Sequence, residues 1–140
     1  RCSRDWSSDV CSSDLAVETM SPENLLHTKG VVVYMAHPFG GSYENQIRAR
    51  NLARSLTKKY PEVTFINPLD NFIYMDRRSE EEILAAEKCI LAKCELLLLT
   101  GRWRESRGCR SEKNYAETRG IPIAQLNEDR TLCWVGQEKS

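Results

Sequence analysis

Two glutamates stand where this sequence could do chemistry. Glu112 lies in the stretch Ser106-Arg-Gly-Cys-Arg-Ser-Glu112-Lys-Asn-Tyr-Ala116, directly after the apolar run Leu96-Leu97-Leu98-Leu99. A Gly-containing loop that opens a helix after a buried strand sets free backbone N–H groups and a positive dipole end at the rim of a sheet. The spacing predicts Glu112 in the first turn of that helix. It sits three and four residues before Tyr115 and Ala116, on the face turned to the sheet. A first-turn Glu that only complements the helix dipole is the plainer alternative. Glu87 falls inside the stripe Ile83, Leu84, Ile90, Leu91 and Cys94, four after Ile83 and three before Ile90. A carboxylate on an apolar face is costly unless it has partners or work to do. It either snorkels at the stripe's edge or turns inward as a functional acid.

The elements that must position these groups follow from apolar periodicity. Val31 to Ala36 reads as the first strand, followed by the turn His37-Pro-Phe-Gly-Gly41 and a helix from near Ser42. That helix carries the stripe Ala49, Leu52, Ala53, Leu56 and Tyr60 and ends at Pro61. Val63 to Ile66 is a second strand, closed by Asn67 to Asn71, with a loop from Phe72 to Arg78 that carries Tyr74. Ser79-Glu-Glu-Glu82 signals a capping box for a helix to about Lys93. Leu96 to Thr100 is a third strand, Gly101 to Gly108 a loop, and Ile121 to Leu126 a further strand. Alternating strands and helices with right-handed crossovers predict an α/β fold, a small doubly wound, flavodoxin-like parallel sheet of four to five strands ordered 2-1-3-4. Ligands bind such sheets where the strand order reverses, here between the His37–Tyr43 turn and the loop leading to Glu112. The tail from Asn127 carries Cys133, Trp134 and Val135, an apolar surface that needs somewhere to dock.

The totals exclude several classes. The length suits one domain with one core. Twenty basic and twenty acidic side chains cancel, so no global field favours a nucleic acid polymer or an anionic membrane. No apolar run approaches the roughly 20 residues that span a bilayer. Six cysteines without a CxxC pair point to reduced thiols in a cytoplasmic protein, with no disulfide frame, no metal site and no cofactor motif. Arg1 to Leu15 contains DWSSDVCSSDL, which reads as a translated sequencing-library adapter from a metagenomic assembly. This segment is expected to be disordered and outside the domain that begins at Ala16.

On these residues the chain resembles the nucleoside 2-deoxyribosyltransferase and nucleoside 5′-monophosphate N-glycosidase superfamily, including its uncharacterised bacterial and phage members. The resemblance runs from about Val31 to Leu126. It rests on Tyr34, the Gly40-Gly41 turn, Glu87 and the pattern Ser106-x-Gly108-x-x-x-Glu112. The segment Pro68-Leu69-Asp70-Asn71 resembles the one lining the base site of the transferases. The chain departs from the pattern at Glu87, where the family carries Asp, and at Arg110, where it carries Gly. Ser106 in place of the transferases' Asp resembles the monophosphate branch.

The resemblance implies Glu112 as nucleophile and Glu87 as the second acid or as a group that positions the sugar. Breaking an N-glycosidic bond passes through an oxocarbenium-like state that a carboxylate stabilises or captures, while the leaving base takes a proton from an acid of raised pKa. An ionised Glu112 is the expected starting state, favoured by the helix N-terminus. Gly40, Gly41, Ser42, Ser106, Gly108 and Arg110 are expected near a phosphate. Phe39, Tyr74 or Trp103 would stack a base, or would simply be packed. Tyr34, Asp70 and Asn71 complete the expected lining, with His37 either a further lining residue or a structural residue of its turn. The implied ligand is a nucleoside or nucleotide, and a homodimer or larger assembly is expected because small members complete each site with a neighbour's residues. The alternative is a non-catalytic module that sequesters a nucleotide-derived signal of the cyclic ADP-ribose type, in a bacterium or a phage-infected cell.

Overall fold

A computed structural model describes residues 20–136, so the adapter-like segment lies outside the described residues. Five strands form one sheet: β1 (Val32–Ala36), β2 (Thr64–Ile66), β3 (Leu96–Leu99), β4 (Ile123–Leu126) and β5 (Leu132–Trp134). Their order is β2-β1-β3-β4-β5. The first four run parallel, and β5 pairs antiparallel with β4. The chain steps from β1 outward to β2, then crosses back over β1 to reach β3. The order therefore reverses between β1 and β3, which lie in register from Val33↔Leu96 to Ala36↔Leu99. This is the expected doubly wound α/β architecture.

The helices are α1 (Pro22–Leu25), α2 (Tyr43–Lys59), α3 (Pro68–Asn71), α4 (Glu80–Leu91) and α5 (Arg107–Arg119). Strand alternation divides the core in two. Val33, Met35, Leu96, Leu98 and Ala124 pack with Ala49 and Leu56 of α2 and with Tyr60. Tyr34, Ala36, Leu97, Leu99 and Ile123 pack with Leu91 and Cys94 at the end of α4 and with Cys109 and Ala116 of α5.

Each long helix starts on a serine. Ser42 Oγ accepts from the Asn45 amide, and Ser106 Oγ accepts from the Cys109 amide. Ser79 and Glu82 close the full capping box at α4. The cap at Ser106 corrects one expectation. Helix α5 begins at Arg107, so Gly108 lies inside its first turn and Glu112 falls in the second. The stretch expected as open loop instead holds a 3₁₀ turn over Trp103–Glu105.

The tail docks within the chain. It supplies edge strand β5, and the Trp134 indole N–H donates to the Met20 carbonyl at 2.9 Å while its ring packs on the first core cluster. Its apolar surface is thus used within the chain and gives no ground for a subunit contact. Among the described residues, no helix is long and apolar enough to cross a membrane, and no cluster of His, Cys, Asp or Glu could hold a metal ion. Cys94 and Cys109 are buried, Cys89 and Cys133 are exposed, and all four are free thiols.

Candidate functional site

The centre of the site is a buried set of three side chains. Tyr34 projects from the middle of β1 on the α4–α5 side, and its hydroxyl donates to Glu112 Oε2 at 2.5 Å. Glu112 is 4% exposed and Glu87 is 7% exposed, so α5 and α4 each turn one carboxyl inward. The two carboxyl groups are hydrogen-bonded to each other. Burial pushes the Glu112 pKa well above the usual carboxylate value, and the neighbouring Glu87 charge adds to it. Burial also raises Glu87, while its hydrogen bond with Glu112 works the other way. Two carboxylates this close and this dry cannot both ionise cheaply, so the pair retains a proton above the normal carboxylate range. The expectation of a Glu112 ionised by a helix terminus is therefore corrected. The group sits a turn too deep, and desolvation is the largest influence on it.

Tyr34 is held as the neutral phenol by burial and by the Glu112 charge. Burial pushes the Cys109 thiol up to about 12, so this neighbour of the pair is no thiolate nucleophile near neutrality.

Above the pair opens a cleft of about 500 Å³, lined by His37, Phe39, Gly40 and Gly41 from the turn after β1 and by Ser106, Gly108, Cys109 and Glu112 from α5. Pro68 and Leu69 form another wall, and Arg78, Glu80, Ile83, Leu84 and Glu87 close it from the α4 side. This is the switch point between β1 and β3. Gly40 (φ 56°) and Gly41 (φ 74°) both take left-handed backbone, which two consecutive side-chain-bearing residues would resist.

His37 Nδ1 lies 2.9 Å from the Pro38 carbonyl, which can only accept, so Nδ1 carries the proton and Nε2 is left as an acceptor. Burial holds the ring below its ordinary pKa, and the nearby Arg48 charge acts in the same direction. Gly101, at φ 62°, presses on this ring; a Cβ there would stand 3.2 Å from His37 Nε2 and from Pro38 Cδ.

Several residues expected in the site are placed elsewhere. Trp103 is buried in the second core cluster, with the Arg104 guanidinium over its ring at 4.5 Å, so it offers no face for a base. Arg110 turns to the outer side of α5 and donates to the Arg104 carbonyl at 2.8 Å. Asp70 accepts from Arg50 at 2.8 and 3.1 Å, and that bond holds its carboxyl below the usual range. Asn71 is exposed at the end of α3, and Ser42 caps α2; neither lines the cleft. Tyr74 is exposed on a 3₁₀ turn over Ile73–Met75. Of the segment Pro68–Asn71, only the first half reaches the cleft.

The cleft-lining residues that sequence reasoning missed as site residues are Arg78, Glu80, Ile83, Leu84 and Cys109. Glu80 and Leu84 could have been found by extending the Glu87 face back along α4, since helical spacing carries 80, 84 and 87 to one side.

A cleft with a buried carboxyl pair at a strand switch point can be set beside known proteins. No curated protein sequence matches this chain. A solved structure titled "2-desoxiribosyltransferase from Leishmania mexicana" resembles it with a TM-score of 0.53 at 21% identity, over 69% of this chain and 63% of that one. The alignment thus spans less than two thirds of that protein, and the likeness is one of fold. At the level of sequence, residues 31–125 match a family profile that spans all the elements around the cleft, and the chain belongs to that family, the Domain of unknown function DUF4406.

Proposed function

We propose that this chain breaks the N-glycosidic bond of a nucleoside or nucleoside 5′-monophosphate, by hydrolysis or by transfer of the base. One observation carries the reading: the buried Glu87–Glu112 pair, anchored by the Tyr34 hydroxyl, at the floor of an open cleft. The fold likeness to a deoxyribosyltransferase supports the same class of reaction.

The pair supplies both charges the reaction needs. One carboxyl must be protonated to release the base and the other ionised to meet the sugar, and a pair that shares one proton holds that state by its own repulsion. With the shared proton on Glu87, a state favoured by the developing positive charge at C1′ beside Glu112, both groups are armed at once. Glu112 then attacks C1′ while Glu87 gives its proton to the departing base nitrogen. Tyr34 holds Oε2 and leaves Oε1 to bond. In the second step Glu87, now a carboxylate, takes a proton from water or from an incoming base as that oxygen or nitrogen bonds to C1′, and the C1′–Glu112 ester bond breaks to return the carboxylate. Ser106 at the α5 cap and the Gly40-Gly41 turn line the same cleft, and in this reading they meet the 5′-phosphate.

A second reading is favoured by the same protonation. A neutral carboxyl pair donates and accepts hydrogen bonds without attacking, as a pocket that captures an intact nucleotide-derived signal would require.

The deciding experiment follows base release and ligand retention together across nucleosides, their 5′-monophosphates and cyclic ADP-ribose species. Base release that falls at least about a thousandfold in Glu112→Gln, with ligand still bound, supports the nucleophile. Undiminished release in that variant ends the assignment. Retention of intact ligand with no release by the parent selects the capturing module.

A further inference from the structure

The cleft does not stop at the carboxyl pair. A second lobe of about 700 Å³ adjoins it and shares His37, Phe39, Gly40, Glu80, Ser106 and Gly108 with the first. The two lobes differ in charge. Arg48, Arg102 and Arg107 line the outer lobe and none of them lines the inner one. They come from three elements: Arg48 from α2, Arg102 from the loop after β3, and Arg107 from the first position of α5.

Their present partners are informative. Among the described residues the Arg102 side chain makes no hydrogen bond or ion pair, and only its backbone carbonyl accepts, from the Glu105 amide. Arg107 is held by Glu80, with Nη1 to Oε1 at 2.8 Å, and lies 4.0 Å from Glu81. Arg48 meets Glu44 at 3.8 Å and donates to Asn45 Oδ1. Glu105 is a further acidic group on the outer rim. The Glu80 carboxylate therefore occupies, on Arg107, the place an anionic ligand would take.

We infer that the outer lobe is a polyphosphate subsite, and that the ligand class is a nucleotide with two linked phosphates: a nucleoside 5′-diphosphate or an ester of one. The inference rests on the proposed reading of the inner lobe, which puts the sugar over Glu112 and the first phosphate at Ser106. Ser106 and Gly108 belong to both lobes, so the first phosphate marks their junction. The three arginines lie beyond that junction, where a mononucleotide has no charge left to offer. A second phosphate reaches them, and guanidinium groups bind phosphate oxygens with paired, charge-assisted hydrogen bonds. Glu80 keeps Arg107 from binding anions at random, and a ligand must displace it.

The test is calorimetric titration of the full chain with four probes: a nucleoside, its 5′-monophosphate, its 5′-diphosphate and inorganic pyrophosphate. Affinity is expected to rise from nucleoside to monophosphate to diphosphate, with pyrophosphate binding alone and competing with the diphosphate. Arg102→Gln should lower the ratio of diphosphate to nucleoside affinity at least about tenfold. Glu80→Gln should tighten pyrophosphate by about three- to tenfold, because it removes the competing carboxylate. This gain also answers the objection that any substitution merely harms the fold. Equal affinity for mono- and diphosphate, an unchanged ratio in Arg102→Gln, or no pyrophosphate binding by either the parent or Glu80→Gln would overturn the inference. None of these readouts depends on base release. Pyrophosphate binding in a chain that cleaves nothing would end the glycosidase reading and keep the subsite, and base release from nucleosides without pyrophosphate binding would do the reverse.

Discussion

The two faces of the sheet share their strands and use them differently. Toward α2, β1 presents Val33 and Met35, β3 presents Leu96 and Leu98, and the polar groups on that cluster's side chains, the Tyr60 hydroxyl and the Trp134 indole N–H, are both hydrogen-bonded. Toward α4 and α5, the same strands present Tyr34, Ala36, Leu97 and Leu99, but two carboxyl groups share that layer. The first face gains stability with little to offset it. The second gives some back, because each buried carboxyl loses hydration that one hydrogen bond and a shared proton only partly replace. Placing the cost on one face lets the other hold the fold while the site stays under strain of charge.

The widest separation between the faces should come from Leu98→Ala. Leu98 is fully buried on the α2 side, and truncation there should cost about 2–5 kcal/mol, read as a lower denaturant midpoint. Because the carboxyl pair lies on the opposite face, the pH dependence of stability should keep its shape in this variant. A changed shape would break the division between faces.

Glu112→Gln should do the opposite, altering the shape. Burial raises the carboxyl above its ordinary value of 4.5, so the folded state binds the proton more tightly than the unfolded state. Stability is then full below about pH 4.5 and falls as pH rises through the folded pKa, with a slope of at most about 1.4 kcal/mol per pH unit per proton. Gln carries no such proton. The variant should lose less stability than the parent over that window and finish more stable on its alkaline side. Urea denaturation at a series of pH values checks this, and parallel curves would show that the pair costs the fold nothing.

Ser106→Asp tests whether the polar face can be retuned without loss of fold. Asp caps a helix about as well as Ser, so the melting temperature should hold. Its carboxylate would face the proposed phosphate, and monophosphates should weaken at least about tenfold relative to the unphosphorylated nucleosides. Equal weakening of both would move the phosphate elsewhere.

How far the sequence disclosed all this also divides by face. The strands follow from uninterrupted apolar runs such as Leu96–Leu99, and the capping box at Ser79 and Glu82 fixed the start of α4, so fold and strand order were legible. The site was legible in part. Helical spacing put Glu87 inside an apolar stripe but could not say whether its carboxyl turned inward or snorkelled to the edge, because a long side chain reaches either from the same backbone position. The start of α5 was misread because Gly108 looked like the loop's end, whereas the Ser106 hydroxyl already caps the helix. Trp103 and Arg110 were misplaced for a related reason. The 3₁₀ turn at Trp103–Glu105 rolls the indole into the core and leaves the Arg104 carbonyl to bind Arg110, and no periodic pattern in the sequence announces so short a turn. The tail strand β5 has three residues, too few for alternation to show.

The smallest effect is expected from Tyr34→Phe, and it bears most directly on how the faces differ. The phenol contributes one buried hydrogen bond, so its loss should cost about 1 kcal/mol, well below the cost of Leu98→Ala. The aromatic ring stays and the packing against Leu97 and Leu99 is kept. The chemical consequence is more specific. The Tyr34 hydroxyl donates to Glu112 and so favours its ionised form, against the burial that raises it. Without that donor the pair should release its proton at higher pH than in the parent. The alkaline fall in stability should then extend further up the pH scale, and any pH limb of base release that reports the pair should move in the same direction. A structural role for the phenol alone would lower stability by the same amount at every pH. A uniform loss would therefore reduce Tyr34 to packing, whereas a displaced limb would make it the residue through which the sheet tunes the carboxyl pair.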